Sequence, residues 1–568
     1  MFVVSKRALY LLSIVFAVSW FGTLELRGLF TPDEGRYAEI PREMTVTGDW
    51  ITPRLNDLKY FEKPPLQYWL TAASFVAFGD DEWSARLPSA LLGFLSVLMT
   101  AFTAQRLWGR DGAISTGVVL GSSWGFFLTG QYLTLDMTLS AFLTMGLSAF
   151  LLAQRPDASQ KCRRRWMWVA WTACALATLS KGLIGVALPA LALLSYSVLA
   201  RDVRVWQRLE ILRGSLLLVV LALPWFALVQ HRNPEFFHFF FVQEHFQRFT
   251  TPQHSRPGAW WYYMPILLIG AMPWLPGVLS NVVDRSSRAE MTASSTRVFR
   301  PDLFCAAWML AIVLFFSASH SKLPAYVIPV FPALAMLAGR TSFLGNPRAL
   351  RWCALGLVSI GGALALGATQ LGRWQKFVVL GPDALTGTSW LYAATGVLIV
   401  AGLCALWFLR RGLLANCVLT IVLGSFSFWG LSFAFLQHVD DAFSAERLIE
   451  PIVGKDRPFA PSATVYFIGQ LDYSVLFYLG RPVTVVDYRG ELEPGLRAEP
   501  QKSIATIGEF QQRWAASSES AYALMNRDRY RELQLSGLPM HVIAENRRLV
   551  VVGRTNQGSP QRTDNKAR

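Results

Sequence analysis

Residues 8–30 read ALYLLSIVFAVSWFGTLELRGLF, and the polar stretch TPDEGRYAEIP, residues 31–41, follows at once. The first stretch approaches the length of ~20 apolar residues that a helix needs to cross a bilayer. Two basic residues precede it, as in a signal peptide, but no small-residue cleavage site follows it. We therefore expect a retained first span that delivers Asp33, Glu34 and Arg36 to a membrane surface.

The composition agrees with a chain that crosses the membrane many times. Of the 568 residues, 53% are hydrophobic and 16% are charged, whereas a soluble domain is usually nearer a quarter charged. The net charge of +15 does not indicate a nucleic-acid partner, because the basic residues lie in short loops between apolar runs, as the positive-inside rule predicts. The six cysteines include no C-x-x-C pair, so neither a disulfide framework nor a thiolate zinc site is expected.

The apolar runs predict a polytopic α-helical membrane protein of about thirteen spans. We place the spans near residues 8–28, 88–106, 112–129, 136–154, 166–180, 183–200, 211–230, 262–281, 303–318, 324–340, 352–371, 389–409 and 412–435. Basic clusters occupy every second loop, which assigns those loops to the cytoplasm. The short run 64–79 begins with proline and would break this alternation, so we predict an interfacial or re-entrant helix on the outer face.

The odd number of spans places the polar C-terminal part of the chain outside. We predict a transmembrane catalytic domain over 1–436, with outer loops at 29–87 and 231–261, then a periplasmic α/β domain over 437–556 and a disordered tail over 557–568. The stretches SATVYFIG, RPVTVVDY, SAYALMN and RRLVVVG are typical of short strands, and IGEFQQRWAAS is typical of a helix.

Two acids from distant segments are expected at the same depth. Asp33 follows the first span, and Asp136 begins another span at its outer end. Acids at such depth are costly unless they are paired or functional. The alternative for each residue is a helix N-cap. Together, the two carboxylates favour a functional site at the outer rim of the membrane.

Basic and aromatic side chains are predicted at the same level, where positive charge suits the binding of phosphate groups. The candidates are Lys63, Lys181, Arg248, Lys322 and, beside it, Tyr326. The alternative is that these side chains extend toward lipid headgroups, which is the interpretation we favour for Lys59.

The outer loop 231–261 is rich in phenylalanine and histidine, which is typical of a segment in the membrane interface. It can also form an apolar wall for a lipid chain. Glu62 or Glu244, with His238 and His245, offers a possible divalent metal site. His238 and His245 are seven residues apart, which places them on one face of an α-helix. No tight ligand spacing is present, and no cofactor is otherwise indicated.

Several short motifs occur in an order that resembles the GT-C membrane glycosyltransferases, which use polyprenyl-phosphate sugars, and in particular the bacterial lipid A aminoarabinose transferases. The motifs are TPDEGRYAEIPREM (31–44), FEKPPLQYW (61–69), SARLPSALLG (84–93), YLTLDM (132–137), SKG (180–182) and HSKLPAYVIPVFP (320–332). Each motif is weak alone, but their order and spacing together are fairly specific. The resemblance covers nearly all of residues 1–435.

The resemblance implies transfer of 4-amino-4-deoxy-L-arabinose from undecaprenyl phosphate to lipid A phosphates at the periplasmic face of the inner membrane, with inversion at the anomeric carbon. Such transfer confers resistance to cationic peptides such as polymyxin. Carried over by motif, the catalytic acids are Asp33 and Asp136, and the phosphate-binding lysine is Lys63. Further substrate-binding candidates in the first loop are Arg36, Tyr37 and Tyr60. A monomer is expected.

Two other functions remain open from the sequence. The same fold can serve a protein or another glycan as acceptor. A flippase or transporter of lipid-linked sugars is the main alternative that is not an enzyme, although it would place ionisable groups near the middle of the bilayer rather than at one face.

Overall fold

The computed structural model describes residues 6–247, 257–283, 299–341, 343–370, 386–453, 463–488, 490–516 and 521–554. Within these ranges, 7 helices are long and apolar enough to cross a membrane. Four shorter apolar helices, Leu9–Phe21, Leu66–Phe78, Ile184–Ala200 and Pro324–Arg340, accompany them. A small sheet domain follows the last long helix, so the expected fold class is confirmed.

Each of the predicted spans corresponds to helical structure. The helices are Lys6–Phe21, Glu82–Ser122, Trp124–Gly130, Leu135–Ala153, Gln160–Lys181, Ile184–Ala200, Ile211–Arg232, Tyr263–Gly270, Leu275–Val283, Pro301–Ala318, Phe331–Arg340, Pro347–Ala368, Thr388–Arg410 and Leu414–His438. Shorter 3₁₀ segments lie at Arg204–Arg208, Pro324–Val330 and Phe343–Gly345, and a π-helix at His238–Gln247. How many of these helices cross the bilayer stays a prediction.

The helix Glu82–Ser122 contains two predicted spans with a break between them. Its start is fixed by a capping box, in which the Asp81 side chain accepts from the Ser84 amide and the Ser84 hydroxyl accepts from the Asp81 amide. Gly109, at φ 80°, interrupts the helical backbone. Glycine tolerates this positive φ, so the chain can change direction between the two apolar halves.

The segment predicted as the first outer loop, which keeps that name below, is an ordered layer rather than an irregular connection. It contains the helix Asp33–Thr47, called the loop helix below, the hairpin of strands β1 (Arg54–Leu55) and β2 (Leu58–Lys59), and the helix Leu66–Phe78. The last of these begins directly after Pro65, as proline's fixed φ favours. The Phe75 ring lies 6.1 Å from that of Phe477 in the C-terminal domain, which supports a helix that stays on the side of that domain.

The C-terminal domain is built on a six-stranded sheet in the order β5-β4-β3-β6-β8-β7. Its strands are β3 (Thr464–Ile468), β4 (Thr484–Val486), β5 (Ser503–Ile504), β6 (Ala521–Met525), β7 (Met540–Glu545) and β8 (Val550–Arg554). Strands β5, β4, β3 and β6 are parallel, and β8 pairs antiparallel with β6 and β7. The helices are Glu446–Val453, Tyr473–Leu479, Glu493–Ala498, Ile507–Ala516 and Arg527–Leu535, with 3₁₀ turns at Asp440–Ala442 and Pro500–Lys502.

Four strands and the helix at 507 were predicted from the sequence and are confirmed. The edge strands β5 and β7 were not predicted, because β5 has only 2 residues and β7 lacks a continuous buried face.

The first outer loop and the C-terminal sheet share one hydrophobic core. Buried side chains of the loop helix, such as Ile40, and of the hairpin, such as Leu55, pack in the same cluster as Phe467 and Leu476 of the C-terminal domain. Burial of apolar side chains is worth roughly 1.5–3 kcal/mol each. The first outer loop and the C-terminal domain are therefore joined by packing as well as by the chain.

Candidate active site

The start of the loop helix is fixed by a buried cluster around Glu34. Arg86 donates through Nε and Nη2 to the two Glu34 oxygens at 2.8 and 2.9 Å, and Arg27 donates to both oxygens as well. The amides of Phe30 and Leu133 complete the cluster, each at 3.0 Å. Burial alone would raise the pKa of Glu34, but the two guanidinium groups lower it to about 2. The carboxylate is therefore charged and held at several points.

This cluster places Asp33, the preceding residue, at the surface end of the helix. Arg36 donates through Nη2 to Asp33 and through Nη1 to Glu491 of the C-terminal domain. The same Nη1 donates to the Tyr60 hydroxyl at 3.2 Å. The Arg36 guanidinium also lies 4.9 Å from the Tyr37 ring. Three predicted site residues, Asp33, Tyr37 and Tyr60, thus lie around the guanidinium of a fourth, Arg36.

A cavity of about 400 Å³ opens beside the first outer loop. This first cavity brings together charged and phenolic side chains from separate segments, namely Glu62, Lys63, Lys181, Glu244 and Tyr326. Its other wall is mainly apolar and is formed by Leu183, Ile184, Ala187, Phe241, Phe315 and Phe316. The cavity therefore combines a charged end with a surface suited to a hydrocarbon chain.

Lys63 lies at the charged end of the first cavity. Its ammonium donates to the backbone oxygen of Glu62 at 2.9 Å. The nearest carboxylate oxygens of Glu62 and Glu244 lie 3.8 and 3.7 Å away. Both distances are longer than the usual 2.7–2.9 Å of a charge-assisted hydrogen bond, so the two carboxylates attract the ammonium without a close hydrogen bond to it.

Asp136 is brought to the first cavity by its contact with Lys181. The Lys181 ammonium lies 2.5 Å from Asp136 Oδ1 and 4.6 Å from the centre of the Tyr326 ring. The three residues come from different helices, and Lys181 and Tyr326 line the cavity directly. The tyrosine ring packs 4.8 Å from Phe316, so the charged pair is next to the apolar wall.

A second cavity, of about 490 Å³, lies between the first outer loop, the π-helix and the C-terminal domain. Its polar wall includes Lys59, Tyr60, Glu62, Glu235 and Glu491. Glu62 lines both cavities. The two cavities therefore flank Glu62, and the group around Arg36 adjoins the second of them.

The N-cap alternatives for the two acids are wrong. The capping positions are Pro32 and Thr134, and neither makes a side-chain capping bond. Asp33 and Asp136 instead lie in the first turn of their helices, where a carboxylate also interacts favourably with the helix dipole, and both form ion pairs.

Lys322 is buried, and its ammonium donates to the Ser319 oxygen at 2.5 Å. Three residues close to Lys322 in the chain line the first cavity, namely Ser319, Ser321 and Tyr326. The described contact of Lys322 is therefore with the backbone of its own turn. Phosphate binding by this residue stays a prediction.

The predicted metal site lies partly outside the described ranges. Arg248 and the side chain of His245 lie outside the described residues. Among those described, no three His, Cys, Asp or Glu side chains form a group that could hold a metal ion. The spacing of His238 and His245 was interpreted for an α-helix, but the segment is a π-helix, whose wider turns do not place residues seven apart on one face.

The sequence did not reveal the roles of Glu491 and Arg86. Arg86 lies in the motif SARLPSALLG, on which the family resemblance partly rests, so the sequence drew attention to this stretch. It did not indicate that Arg86 pairs with Glu34. Glu491 lies in the C-terminal domain, 455 residues beyond Arg36, and no local pattern predicts such a contact.

Two parts of the chain match known protein families. Residues 6–240 match the family described as Dolichyl-phosphate-mannose-protein mannosyltransferase. Residues 455–554 match the Aminoarabinose transferase C-terminal domain. With the helical fold and its cavity at the first outer loop, these matches define a membrane glycosyltransferase that uses a lipid-linked sugar donor.

Whole-chain relatives identify the family. The undecaprenyl phosphate-alpha-4-amino-4-deoxy-L-arabinose arabinosyl transferase of Pseudomonas aeruginosa strain UCBPP-PA14 is 32% identical over 93% of this chain and 95% of its own. The protein of that name from Erwinia tasmaniensis is 34% identical over 58% of each chain. The crystal structure of ArnT from Cupriavidus metallidurans bound to undecaprenyl phosphate matches with a TM-score of 0.87 and 35% identity, over 98% of this chain and 100% of that one. The chain belongs to the undecaprenyl phosphate-aminoarabinose arabinosyl transferase family.

Proposed function

We propose that the protein transfers 4-amino-4-deoxy-L-arabinose from undecaprenyl phosphate to a phosphate group of lipid A. The observation that carries this proposal is the first cavity, which joins Lys63 and Lys181 to an apolar wall of phenylalanine and aliphatic side chains. A lipid phosphate carries the matching pair of features, an anionic head and a hydrocarbon chain. Membership of the family supplies the sugar and its carrier.

The donor lies with its phosphate at Lys63 and its prenyl chain along Phe241, Phe315 and Phe316. When the bond between the sugar and the phosphate breaks, negative charge grows on the departing phosphate. A fixed ammonium beside that oxygen stabilises the transition state more than the ground state. Lys63 is suited to this role, because it lines the first cavity next to the apolar wall.

The acceptor phosphate already carries a nucleophilic oxygen near neutral pH, so it requires positioning more than deprotonation. Asp33, held by Arg36, balances the positive charge of the amino sugar and so positions the sugar for attack by the acceptor. Asp136 acts through its ion pair with Lys181, which directs the ammonium along the wall of the cavity. Attack from the face opposite the departing phosphate inverts the anomeric carbon.

The reaction takes place at the outer face of the bacterial inner membrane, with the C-terminal domain in the periplasm. The docking of that domain on the first outer loop supports this placement, because both must lie on one side. Transfer of a cationic sugar onto lipid A reduces the negative charge of the cell surface. The consequence for the cell is resistance to polymyxin and similar cationic peptides.

The test uses a strain that lacks its own transferase. Mass spectrometry of lipid A from cells expressing the wild-type chain is expected to show added aminoarabinose, and cells expressing Asp33→Asn are expected to show little or none. Unmodified lipid A in the cells that express the wild-type chain, with the protein present in the membrane, would contradict the proposed acceptor. Sugar on a membrane protein or another glycan would identify the alternative acceptor instead. Full activity of Asp33→Asn would contradict the role of that carboxylate.

A further inference from the structure

A third cavity, of about 180 Å³, lies among the apolar helices. Its walls come from the helices Leu135–Ala153, Gln160–Lys181 and Ile184–Ala200 and from the segment around Trp206. Every described residue that lines it is uncharged, and most are aliphatic or aromatic. Apolar cavities of roughly 150 Å³ stay dry and accept small hydrocarbons. The third cavity is therefore suited to a segment of a hydrocarbon chain.

Two tryptophans form fixed walls of the third cavity. The Trp171 indole donates to the Leu209 oxygen at 2.8 Å, and the Trp206 indole donates to the Ser197 hydroxyl at 2.8 Å. A Cβ atom built on Gly214 would lie 2.0 Å from Nε1 of Trp171, so a side chain at that position would displace the ring. Because the protein satisfies both indole donors, the two rings offer an occupant apolar surface.

The third cavity borders a surface of exposed apolar side chains. Ile211 lines the cavity and is 50% exposed. Trp168 and Leu212, which are next to lining residues in the chain, and Leu216 are also exposed. An exposed apolar surface of this kind marks a contact with a membrane or with another protein. In a chain with membrane-spanning helices, a lipid chain can reach the cavity from the bilayer through this surface.

Positive charge is concentrated beside this cavity. Glu210 lies in the chain between the lining residues Leu209 and Ile211. Its carboxylate is 3.3 Å from Arg164 Nε and 3.5 Å from Arg213 Nη1. The side chains of these two arginines are 46% and 60% exposed. Two accessible guanidinium groups therefore share one carboxylate, which leaves a positive charge for an anion to neutralise.

Two further arginines lie at the end of the helix that contributes Phe150 to the cavity wall. Arg163 donates through Nε to the Ala153 oxygen at 3.3 Å, and Nη1 of Arg208 lies 3.5 Å from Gln154 Oε1. Arginines are expected at the cytoplasmic ends of membrane helices, so they do not indicate a ligand by themselves. Their position beside an apolar cavity is the additional observation, since basic pockets between membrane helices bind anionic lipid headgroups.

We propose that the third cavity binds an anionic phospholipid of the membrane. One acyl chain occupies the cavity, and the phosphate lies against the guanidinium groups of Arg164 and Arg213. The combination of an apolar cavity and an excess of positive charge is complementary to such a lipid and not to a neutral one. Met167, in the cavity wall, lies about 20 Å along its helix from Lys181 of the first cavity. The phospholipid site is therefore separate from the first cavity.

The helix Ile184–Ala200 connects the two sites. Ile184 and Ala187 line the first cavity, and Val186 and Ala190 line the third. A phospholipid in the third cavity therefore supports a helix that also shapes the first cavity. A ligand that binds the folded protein raises its stability by mass action, so the bound phospholipid is expected to raise the midpoint of thermal unfolding.

The test measures lipid binding to the purified, delipidated protein in detergent by native mass spectrometry. The probes are dioleoyl phosphatidylglycerol and dioleoyl phosphatidylcholine, which have the same chains and differ in the charge of the headgroup. The wild-type protein is expected to bind phosphatidylglycerol about 10- to 30-fold more tightly, as two arginines near an anionic headgroup allow. Phosphatidylglycerol should also raise the unfolding midpoint more than phosphatidylcholine does. Equal affinities for the two lipids would overturn the proposal.

The double variant of Arg164→Gln with Arg213→Gln removes the proposed contacts with the headgroup. It is expected to bind the two lipids with nearly equal affinity. The matched control is Arg348→Gln with Arg351→Gln, which removes two exposed arginines at the start of the helix Pro347–Ala368 and should keep the wild-type preference. A preference that persists in the first double variant, or that is lost to the same extent in both, would overturn the assignment of the headgroup.

The variant Ala190→Phe fills the third cavity from its own wall and tests the position of the chain. It is expected to weaken the binding of both lipids at least about 10-fold, because the chain loses its apolar contacts. Leu199→Phe, exposed on the opposite face of the same helix, should bind like the wild-type protein. Wild-type binding by Ala190→Phe would overturn the proposal. If Ala190→Phe does not fold, the exposed arginine variants decide the question.

Undecaprenyl phosphate provides the last control. Added at saturating concentration, it should not displace phosphatidylglycerol from the wild-type protein. Displacement would show that the two anionic lipids compete for one cavity, and it would overturn the assignment of a separate site.

Discussion

Arg86 and Glu34 are joined by two hydrogen bonds, of 2.8 and 2.9 Å, although 52 residues separate them in the chain. Arg86 belongs to the helix Glu82–Ser122, and Glu34 belongs to the first turn of the loop helix. The same guanidinium donates to the backbone oxygens of Leu24, Arg27 and Gly28. The first outer loop is therefore fixed to a long apolar helix at the point where the Asp33 carboxylate emerges.

Replacement of Glu34 by glutamine tests this attachment. The variant leaves the buried guanidinium groups of Arg27 and Arg86 without a carboxylate. Breaking a buried ion pair in this way costs about 3–5 kcal/mol, so the midpoint of thermal unfolding in detergent should fall by several degrees. Glu509→Gln is the control, since its pair with Arg513 is exposed and is worth at most about 1 kcal/mol. Equal midpoints for the two variants would show that the cluster does not stabilise the fold.

Replacement of Lys63 by alanine tests donor binding. Loss of an ammonium that contacts a phosphate should weaken the binding of undecaprenyl phosphate about 10- to 100-fold, since a hydrogen bond to a charged group contributes about 1.5–3 kcal/mol. Binding can be measured by native mass spectrometry of the purified protein. Lys161→Ala, which removes an exposed lysine at the start of another helix, should bind like the wild-type protein. Unchanged affinity in Lys63→Ala would place the phosphate elsewhere.

The ion pair of Asp136 and Lys181 predicts that the two residues act as one unit. Asp136→Asn and Lys181→Ala should each lower kcat/KM for sugar transfer by about 10- to 100-fold. The double variant should lose little more than either single variant, because residues in direct contact are not additive. A double-mutant cycle measures this coupling. If the fold-loss of kcat/KM in the double variant equals the product of the two single losses, the two side chains contact the substrates independently.

Asp440 predicts a pH dependence of stability. It lies against Gly28, where a Cβ atom would be 2.9 Å from Asp440 Oδ2. Burial raises the pKa of Asp440 from 3.8 to about 6. A raised carboxyl pKa contributes stability that is fully present below about pH 4 and is lost as the pH rises through about 6. The size of the loss is about 3 kcal/mol, since the pKa rises by about two units and one pKa unit corresponds to about 1.4 kcal/mol.

The neutral variant Asp440→Asn should not show this loss. The midpoint of the variant minus that of the wild-type protein should therefore increase as the pH is raised from 4 to 8. Glu446, whose pKa burial raises to about 7, remains in both proteins and affects both curves. Asp528→Asn is the control, because Asp528 is an exposed carboxylate of the C-terminal domain. A constant difference between Asp440→Asn and the wild-type protein across this range would contradict the prediction.

Much of the fold was predictable because apolar period and length are local properties. The helices from Leu135 to Ala200 and the strands β3, β6 and β8 agree with the sequence patterns. The π-helix at 238–247 was not predicted, because its composition resembles that of any amphipathic helix. The break at Gly109 was predicted as a boundary between spans.

The site was predictable where a motif delivers a residue to the membrane surface. Lys63, Lys181 and Tyr326 lie together around one cavity, as their positions next to predicted helices suggested. The sequence could not predict that Glu34 is buried between two arginines whereas Asp33 is partly exposed. This difference depends on how the loop helix is rotated about its axis. Glu491 was missed because its contact with Arg36 arises from the packing of two layers that are far apart in the chain.

The account is tested most directly by sugar transfer in a defined system. Purified wild-type protein in lipid nanodiscs is incubated with undecaprenyl-phosphate aminoarabinose and lipid A, and the lipids are analysed by mass spectrometry. The account predicts lipid A that carries aminoarabinose on a phosphate, and no product from lipid A whose phosphates have been removed. Absence of modified lipid A, or equal modification of the dephosphorylated lipid, would contradict it.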